Sequence, residues 1–342
     1  MRKVALVGFG YWGKNLARVF HALGALGMIC DVNRLQINEA QKHYPNVQRS
    51  DSLEETLGQE DIQGVVIATP PASHKALALK SLLAGKDIFV EKPLALNFQD
   101  GSEIYQCALK HKRILMVGHV FEYHPAVLKL KAMIEKGKLG KIHYVYSQRL
   151  NSGRVRTEEN VLWSFAPHDI AILGRLLKIE PETVACVAGL MLNNKLPDTT
   201  LTTLHFKTGV MAHIFVSWMH PFKAHHTVFV GDKQTAVFDD TEPWNRKLVL
   251  YPHRAASHGN TNSLTLTRRS EGLAIPIKEE EPLKTECRQF LKSMKSRRPP
   301  LTDGLSALRV LRVLEAAQTS MTKQGEPVYL SCFSHQPGRK NK

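Results

Sequence analysis

Two polar residues draw attention because of where they fall along the chain. The apolar run Asp87–Val90 ends at Glu91-Lys92-Pro93, and the later stretch Asn160-Val-Leu-Trp163-Ser-Phe-Ala-Pro167-His168-Asp169 sets a histidine directly behind a proline. A lysine at the carboxyl end of a parallel strand points into the crevice where ligands bind. There a desolvated or charge-crowded ammonium loses its proton more easily. It could hydrogen-bond a substrate hydroxyl and stabilise oxyanion character as that carbon gives up hydride. The alternative is a solvated surface lysine, the usual fate of this residue. Pro167 suits the first turn of a helix, which predicts His168 at a helix start. The positive dipole end disfavours imidazolium there and keeps the ring competent as a base. Lone histidines are more often structural, and the chain has sixteen. Asp169 is adjacent, but neighbours on a helix diverge.

The sharpest motif lies at the N-terminus, where Lys3–Val7 runs into Gly8-Phe9-Gly10-Tyr11-Trp12-Gly13. Gly8 allows a tight turn, Gly10 lets the backbone approach a pyrophosphate, and Gly13 lets helix and strand pack closely. The pyrophosphate can then sit against the unpaired N–H groups of the helix starting near Tyr11. Asp31 ends the next apolar run, eighteen positions past Gly13. A carboxylate there accepts the ribose 2′-hydroxyl and repels a 2′-phosphate, which predicts NAD rather than NADP. Thr69-Pro70-Pro71 ends another strand at the same crevice, with Ser73 placed to cap the following helix. The expected cofactor set is Gly8, Phe9, Gly10, Tyr11, Trp12, Gly13, Asp31, Thr69, Pro70, His74, Glu91 and Lys92. The polar stretch Arg149–Arg156 carries guanidinium groups suited to a diphosphate or carboxylate. Arg154, Arg156, Asn160, Trp163, His168 and Asp169 are the candidate substrate contacts. Solvated arginines in a surface loop remain the alternative reading of that stretch. His220, His225 and His226 have no carboxylate at ligand spacing, so no metal is expected.

These groups need a scaffold, and the first 120 residues supply its pattern. Apolar runs at Lys3–Val7, Met28–Cys30, Gly64–Ala68, Asp87–Val90 and Ile114–Val117 alternate with helical stretches at Lys14–Leu23, Leu35–His43, Ser73–Ala84 and Phe98–Lys110. That alternation predicts an α/β fold with a doubly wound parallel sheet, a Rossmann domain over residues 1–120. Residues 121–330 read as an α+β domain. Helices are expected at Pro125–Lys136 and Pro167–Leu177, and strands at Lys141–Arg149, Thr183–Met191, Thr199–Phe206, Val210–Ser217, His225–Val230, Thr235–Asp239 and Lys247–Tyr251. These strands predict a large, mostly antiparallel open sheet. Two terminal helices follow, Leu283–Lys295 and Gly304–Thr322, the latter expected to pack back on the Rossmann domain. Residues 331–342 read as a disordered tail.

The composition is that of a globular protein, with 43% hydrophobic and 23% charged residues among 342. No apolar run approaches a membrane span. Five scattered cysteines with no CxxC pair argue against disulfides and structural zinc and point to a reducing cytoplasm. The formal net charge of +15 is spread along the chain with no nucleic-acid motif. It suits a solvated surface or the attraction of a small anionic substrate. Neither a nucleic acid nor a membrane is an expected partner.

Together the glycine-rich turn, Glu91-Lys92-Pro93 and the later histidine resemble the glucose–fructose oxidoreductase/inositol dehydrogenase (Gfo/Idh/MocA) family, across residues 1 to about 330. The resemblance implies that Lys92 is catalytic with a cis bond to Pro93, and that His168 is the catalytic histidine. It also implies a homo-oligomer, dimer or tetramer, built on the open sheet. Many members carry Asp four residues before that histidine, whereas this chain has Ser164. Within the family, Gly10–Leu16, Asn160–Ile170 and Leu283–Phe290 followed by Thr302-Asp-Gly304 are most similar to bacterial 3-dehydrogenases of UDP-N-acetylglucosamine. The implied activity is NAD-dependent oxidation of a UDP-sugar at C3, feeding an aminotransferase in lipid A or related glycan synthesis. Three alternatives stand beside it: a 6-carboxylated UDP-sugar, a free sugar or inositol, and a non-catalytic NAD-binding regulator.

Overall fold

The computed structural model describes residues 3–152, 159–192, 195–252, 255–257, 264–266 and 271–331. The expected tail at 331–342 lies outside them except for Ser331. The first sheet has strands β1 (Lys3–Val7), β2 (Leu26–Cys30), β3 (Gln48–Ser50), β4 (Ile62–Ile67), β5 (Asp87–Val90) and β6 (Leu115–Val117). Their order is β3-β2-β1-β4-β5-β6, and every pair is parallel. Strands such as Val65-Val66-Ile67 are buried throughout, as coverage of both sheet faces requires. The covering helices are α1 (Tyr11–Ala22), α2 (Arg34–His43), α3 (Leu53–Gly58), α4 (His74–Leu83) and α5 (Phe98–Lys110). Sequence periodicity passes over β3 and α3, which have three and six residues and little apolar content.

A short 3-10 turn, Val120–Tyr123, and α6 (Pro125–Glu135) lead into the second layer. Its long central strand β7 (Ile142–Ser152) precedes α7 (Val161–Leu177). The sheet continues with β8 (Thr183–Gly189), β9 (Thr199–His205), β10 (Met211–Ser217), β11 (Met219–Gly231), β12 (Gln234–Asp239) and β13 (Leu248–Pro252). Among the described residues the short strands β14 (Ala255–Ser257) and β15 (Leu264–Leu266) pair with each other. β16 (Leu273–Ala274) and β17 (Val328–Tyr329) close the edges of a nine-stranded sheet ordered β16-β13-β12-β11-β7-β10-β9-β8-β17. It is antiparallel except where β7 runs parallel to β10. One face packs on α7 and on α9 (Gly304–Thr322). On the other, Val187 of β8 stands directly opposite Leu201 of β9, both exposed.

α8 (Pro282–Ser296) lies far along the chain yet completes the first layer. Its Phe290 meets Phe20 of α1 and Phe89 of β5 edge to face, at ring separations of 6.5 and 5.7 Å. The approach is so close that a Cβ on Gly64 would lie 2.7 Å from Met294 Cε. α9 in turn packs on α5, where Leu311 fills the space a Cβ on Gly101 would need.

One boundary differs in a way that matters for the site. α7 begins at Val161, not at Pro167. Asn160 caps it by accepting from the Trp163 N–H, so the apolar stretch before the proline is helical. Pro167 therefore sits in the helix interior, where it withholds one backbone donor from the ladder. No helix among the described residues is long and apolar enough to cross a membrane.

Candidate active site

The crevice begins at the carboxyl end of β1. Gly8 has φ +95°, a left-handed conformation, and a Cβ there would lie 2.8 Å from the Ala68 carbonyl oxygen. A Cβ on Gly13 would stand 2.0 Å from the Gly8 oxygen, so helix and turn touch backbone to backbone. At Gly10 the corresponding position meets nothing within 4 Å. That open side, with no side chain capping the first turn of α1, leaves N–H groups for a diphosphate. Asp31 Oδ2 accepts from the Phe9 N–H at 2.7 Å and Oδ1 from the Asn33 N–H at 2.8 Å. The carboxylate thus ties the glycine turn to the end of β2 and keeps lone pairs for a ribose hydroxyl. These residues fit a dinucleotide.

Other members of the expected cofactor set do different work. The Phe9 side chain is buried in the core against Tyr44, while Tyr11 is exposed. Trp12 Nε1 donates to Glu91 Oε1 at 2.7 Å, a bond between the diphosphate turn and the strand that carries Lys92. Burial pushes the Glu91 carboxyl up to about 7, against the opposing pull of the Trp12 donor and the Lys92 charge. Glu91 therefore anchors the wall, with Oε2 accepting from the Lys92 N–H at 3.3 Å. Thr69 Oγ1 pairs with Ser73 Oγ at 2.6 Å, and Pro70 is exposed at the crevice edge. Ser73 makes no capping bond to α4. His74 is fully buried, with Nδ1 2.9 Å from the Pro93 oxygen and Nε2 2.9 Å from the Thr69 oxygen. It braces two strand ends from behind and is not a cofactor contact.

Lys92 and His168, seventy-six positions apart, lie near enough for the charge of one to act on the ring of the other. Lys92 follows β5 with a cis bond to Pro93, and its Nζ donates to the Ser164 carbonyl oxygen at 2.7 Å. Ser164 lies one turn before His168 on α7. The ammonium is thus held by the backbone of α7 at Ser164. The His168 ring packs edge-on against Phe121, with centroids 5.1 Å apart. Its Nδ1 is buried with no hydrogen-bond partner among the described residues. Burial foremost, then the charges of Lys92 and Arg149, holds this imidazole well below its ordinary pKa. The expected helix-start dipole plays no part, because His168 is the eighth residue of α7. Neutrality comes from desolvation and neighbouring cations.

Three expected substrate contacts prove structural. Asp169 is 1% exposed and accepts from Arg149 Nε at 2.8 Å, Arg149 Nη2 at 3.2 Å and Ser147 Oγ at 2.6 Å. It locks α7 onto β7 and does not face a ligand. Asn160 Nδ2 and Trp163 Nε1 both donate to Gln318 of α9, at 2.8 and 3.3 Å, and both residues are buried. Arg154 and Arg156 lie outside the described residues.

Two site residues escaped the sequence reading. β5 and β6 pair Val90 with Val117, so Lys92 and His119 each follow two residues past that pair on adjacent parallel strands. His119 is buried, and its Nδ1 has no hydrogen-bond partner among the described residues. Burial and the Lys92 charge push it down to about 3, leaving a neutral ring. Phe121, two residues on, touches His168 and carries the Arg149 guanidinium 4.5 Å above its own ring. The strand-end argument that singled out Lys92 applies equally to Gly118-His119. Among the described residues no cluster of His, Cys, Asp or Glu forms a metal site.

Two family models match this chain: "Oxidoreductase family, NAD-binding Rossmann fold" over residues 2–119, and "GFO/IDH/MocA C-terminal domain" over 127–237. The chain belongs to the GFO/IDH/MocA oxidoreductase family. Its N-terminal layer is accordingly an NAD-binding Rossmann fold, and its cofactor is NAD. The UDP-N-acetylglucosamine 3-dehydrogenase of Acidithiobacillus ferrooxidans is 24% identical over 311 residues, covering 90% of this chain and 94% of that protein. Its solved structure superposes with a TM-score of 0.81 at 21% identity, over 94% of this chain and 98% of the other. The 2,7-anhydro-N-acetylneuraminate hydratase of Mediterraneibacter gnavus is 29% identical over 46% of this chain, which spans only 42% of that relative's length. Levoglucosan dehydrogenase in complex with NADH and levoglucosan has a TM-score of 0.82 at 20% identity, covering 96% and 98% of the two chains. At these identities the structural likenesses establish the fold.

Proposed function

We propose that this family member oxidises the C3 hydroxyl of a UDP-linked N-acetylamino sugar, UDP-N-acetylglucosamine, to the 3-keto sugar nucleotide. The observation that carries the reading is the 2.7 Å bond from Lys92 Nζ to the Ser164 carbonyl, one turn before His168, whose ring feels the Lys92 charge. Bound NAD supplies the hydride acceptor. Gly8, Gly10 and Gly13 admit its diphosphate, and Asp31 receives the ribose. His168 takes the hydroxyl proton, a task that suits a ring which burial and neighbouring cations favour in its neutral form. The Lys92 ammonium hydrogen-bonds the same oxygen and stabilises it as carbonyl character develops. The imidazolium so formed lies beside two cations, so it must pass its proton on promptly. Most of the acceleration that such a site would supply is positional.

The substrate class rests on the end-to-end alignment with the UDP-N-acetylglucosamine 3-dehydrogenase and on the basic surface, which attracts a diphosphate anion. Arg154 and Arg156 remain the candidate diphosphate contacts. The exposed Val187–Leu201 pair on the open sheet face suits a homo-oligomer. A 3-keto product would be transaminated to a 3-amino sugar for lipid A or a related glycan. The test is a panel of UDP-N-acetylglucosamine, its 6-carboxylated counterpart and myo-inositol with NAD, following reduced-cofactor absorbance. The reading expects the highest kcat/KM with UDP-N-acetylglucosamine. Turnover of myo-inositol alone would overturn it.

A further inference from the structure

Behind the catalytic helix lies a cavity of about 380 Å³ that contains none of Lys92, His119 or His168. Its walls come from the second half of α7, the first turns of α9, the end of β9 and the link 179–181. Leu173, Ile179, Leu204, Phe206, Val313 and Leu330 make most of the lining apolar. The polar part carries Arg175, Lys178, Arg309 and Arg312 together with the carboxyls of Glu122 and Glu180, an excess of cations. Arg309 Nε and Arg312 Nη1 share one carboxylate, Glu180, at 3.0 and 2.9 Å. Arg175 is the exception. Its Nε is buried with no hydrogen-bond partner among the described residues, and the nearest carboxylate oxygen, on Glu122, is 3.9 Å away. Burial pushes the Glu122 carboxyl up to about 8 against the pull of Arg175, so Glu122 is a weak partner for that guanidinium. The Arg175 side chain is partly open to this space, and a ligand carboxylate there would supply the hydrogen bond that Nε lacks.

We propose that this cavity is a second ligand site, which takes an organic carboxylate with an apolar body. The carboxylate would pair with Arg175 and the body would fill the space against Leu173 and Phe206. The volume lies within the range of small-molecule sites, and a mainly apolar lining with a few convergent polar groups is their usual make-up. The site is built into α7 itself, since Arg175 stands seven residues, two turns, beyond His168 on the same helix.

The probe is octanoate, titrated into the full chain by calorimetry, with octanol and acetate as the neutral and body-less controls. Two variants separate the site from any other. Gly174 lines the cavity within α7, and a Cβ there meets nothing within 4 Å. Gly174→Leu therefore fills the space while favouring the helix, and Arg175→Met removes the charge and keeps the stem. The expected result is saturable octanoate binding at least tenfold tighter than octanol or acetate. It should weaken at least tenfold in both variants, whose circular dichroism and NADH affinity match wild type. Absence of saturable octanoate binding, equal affinity for octanol, or octanoate binding unchanged in either variant would overturn the proposal.

Discussion

Replacing Arg149 with Met tests the anchor beneath the catalytic histidine. Asp169 receives three donors, two of them from the Arg149 guanidinium, and is shut away from water. In the variant only the Ser147 hydroxyl remains. A buried carboxylate that loses its cation costs about 3–5 kcal/mol, and methionine roughly preserves the packing volume against Phe121. Adding Asp169→Leu removes the stranded charge, so the double variant should recover to within about 1–2 kcal/mol of wild type. The two losses are then strongly non-additive, as expected of residues in one network. Urea denaturation followed by tryptophan fluorescence reads both changes as shifts in midpoint at constant slope. The reasoning also makes a kinetic demand. The Arg149 charge helps to hold His168 low, so its removal must raise that pKa and move the acidic limb of kcat/KM to higher pH. A single variant as stable as wild type, or a double variant no better than the single, would refute the account of the pair. An unmoved acidic limb would refute its link to His168.

Lys92→Met should reduce turnover by about 10²-fold or more while leaving NADH affinity, measured by fluorescence quenching, within about twofold. Near-normal turnover would remove Lys92 from the mechanism. Gly13→Ala puts a methyl 2.0 Å from the Gly8 oxygen, so the turn must open. NADH binding should weaken by at least about tenfold, and an unchanged Kd would show that the turn yields freely. Glu122→Gln addresses pH. The folded chain holds the Glu122 proton up to about pH 8, whereas an ordinary carboxyl releases it near 4.5. Wild type therefore loses stability as pH rises between those values, and the variant escapes that loss. Its advantage in midpoint should be small at pH 5 and larger at pH 8, and a difference independent of pH would contradict the burial argument.

The first layer was legible because its signals are local. β1, β5 and α5 match the sequence boundaries residue for residue, since apolar runs buried on both faces and an Asn cap leave little choice. The glycine turn was legible for the same reason: only glycine tolerates its contacts. α7 was misread because Pro167 outweighs the helical pattern of Val161–Ala166 when tertiary packing is invisible. The roles of Asn160, Trp163 and Asp169 were hidden because their partners, Gln318, Arg149 and Ser147, are remote in the chain. His119 was within reach, since its strand end is as readable as that of Lys92. What sequence could not supply was the pairing of Val90 with Val117.

The placement of α8 has a consequence for how the protein is made. Phe20 and Phe89 leave the ribosome early, but the ring that covers them, Phe290, follows about two hundred positions later. Until then the nascent cofactor half keeps a greasy flank open to solvent, a natural target for chaperones. A prematurely terminated product lacking the last sixty residues would carry every glycine of the nucleotide turn and still lack the lid on that flank. Such a fragment should aggregate before it could ever sequester dinucleotide.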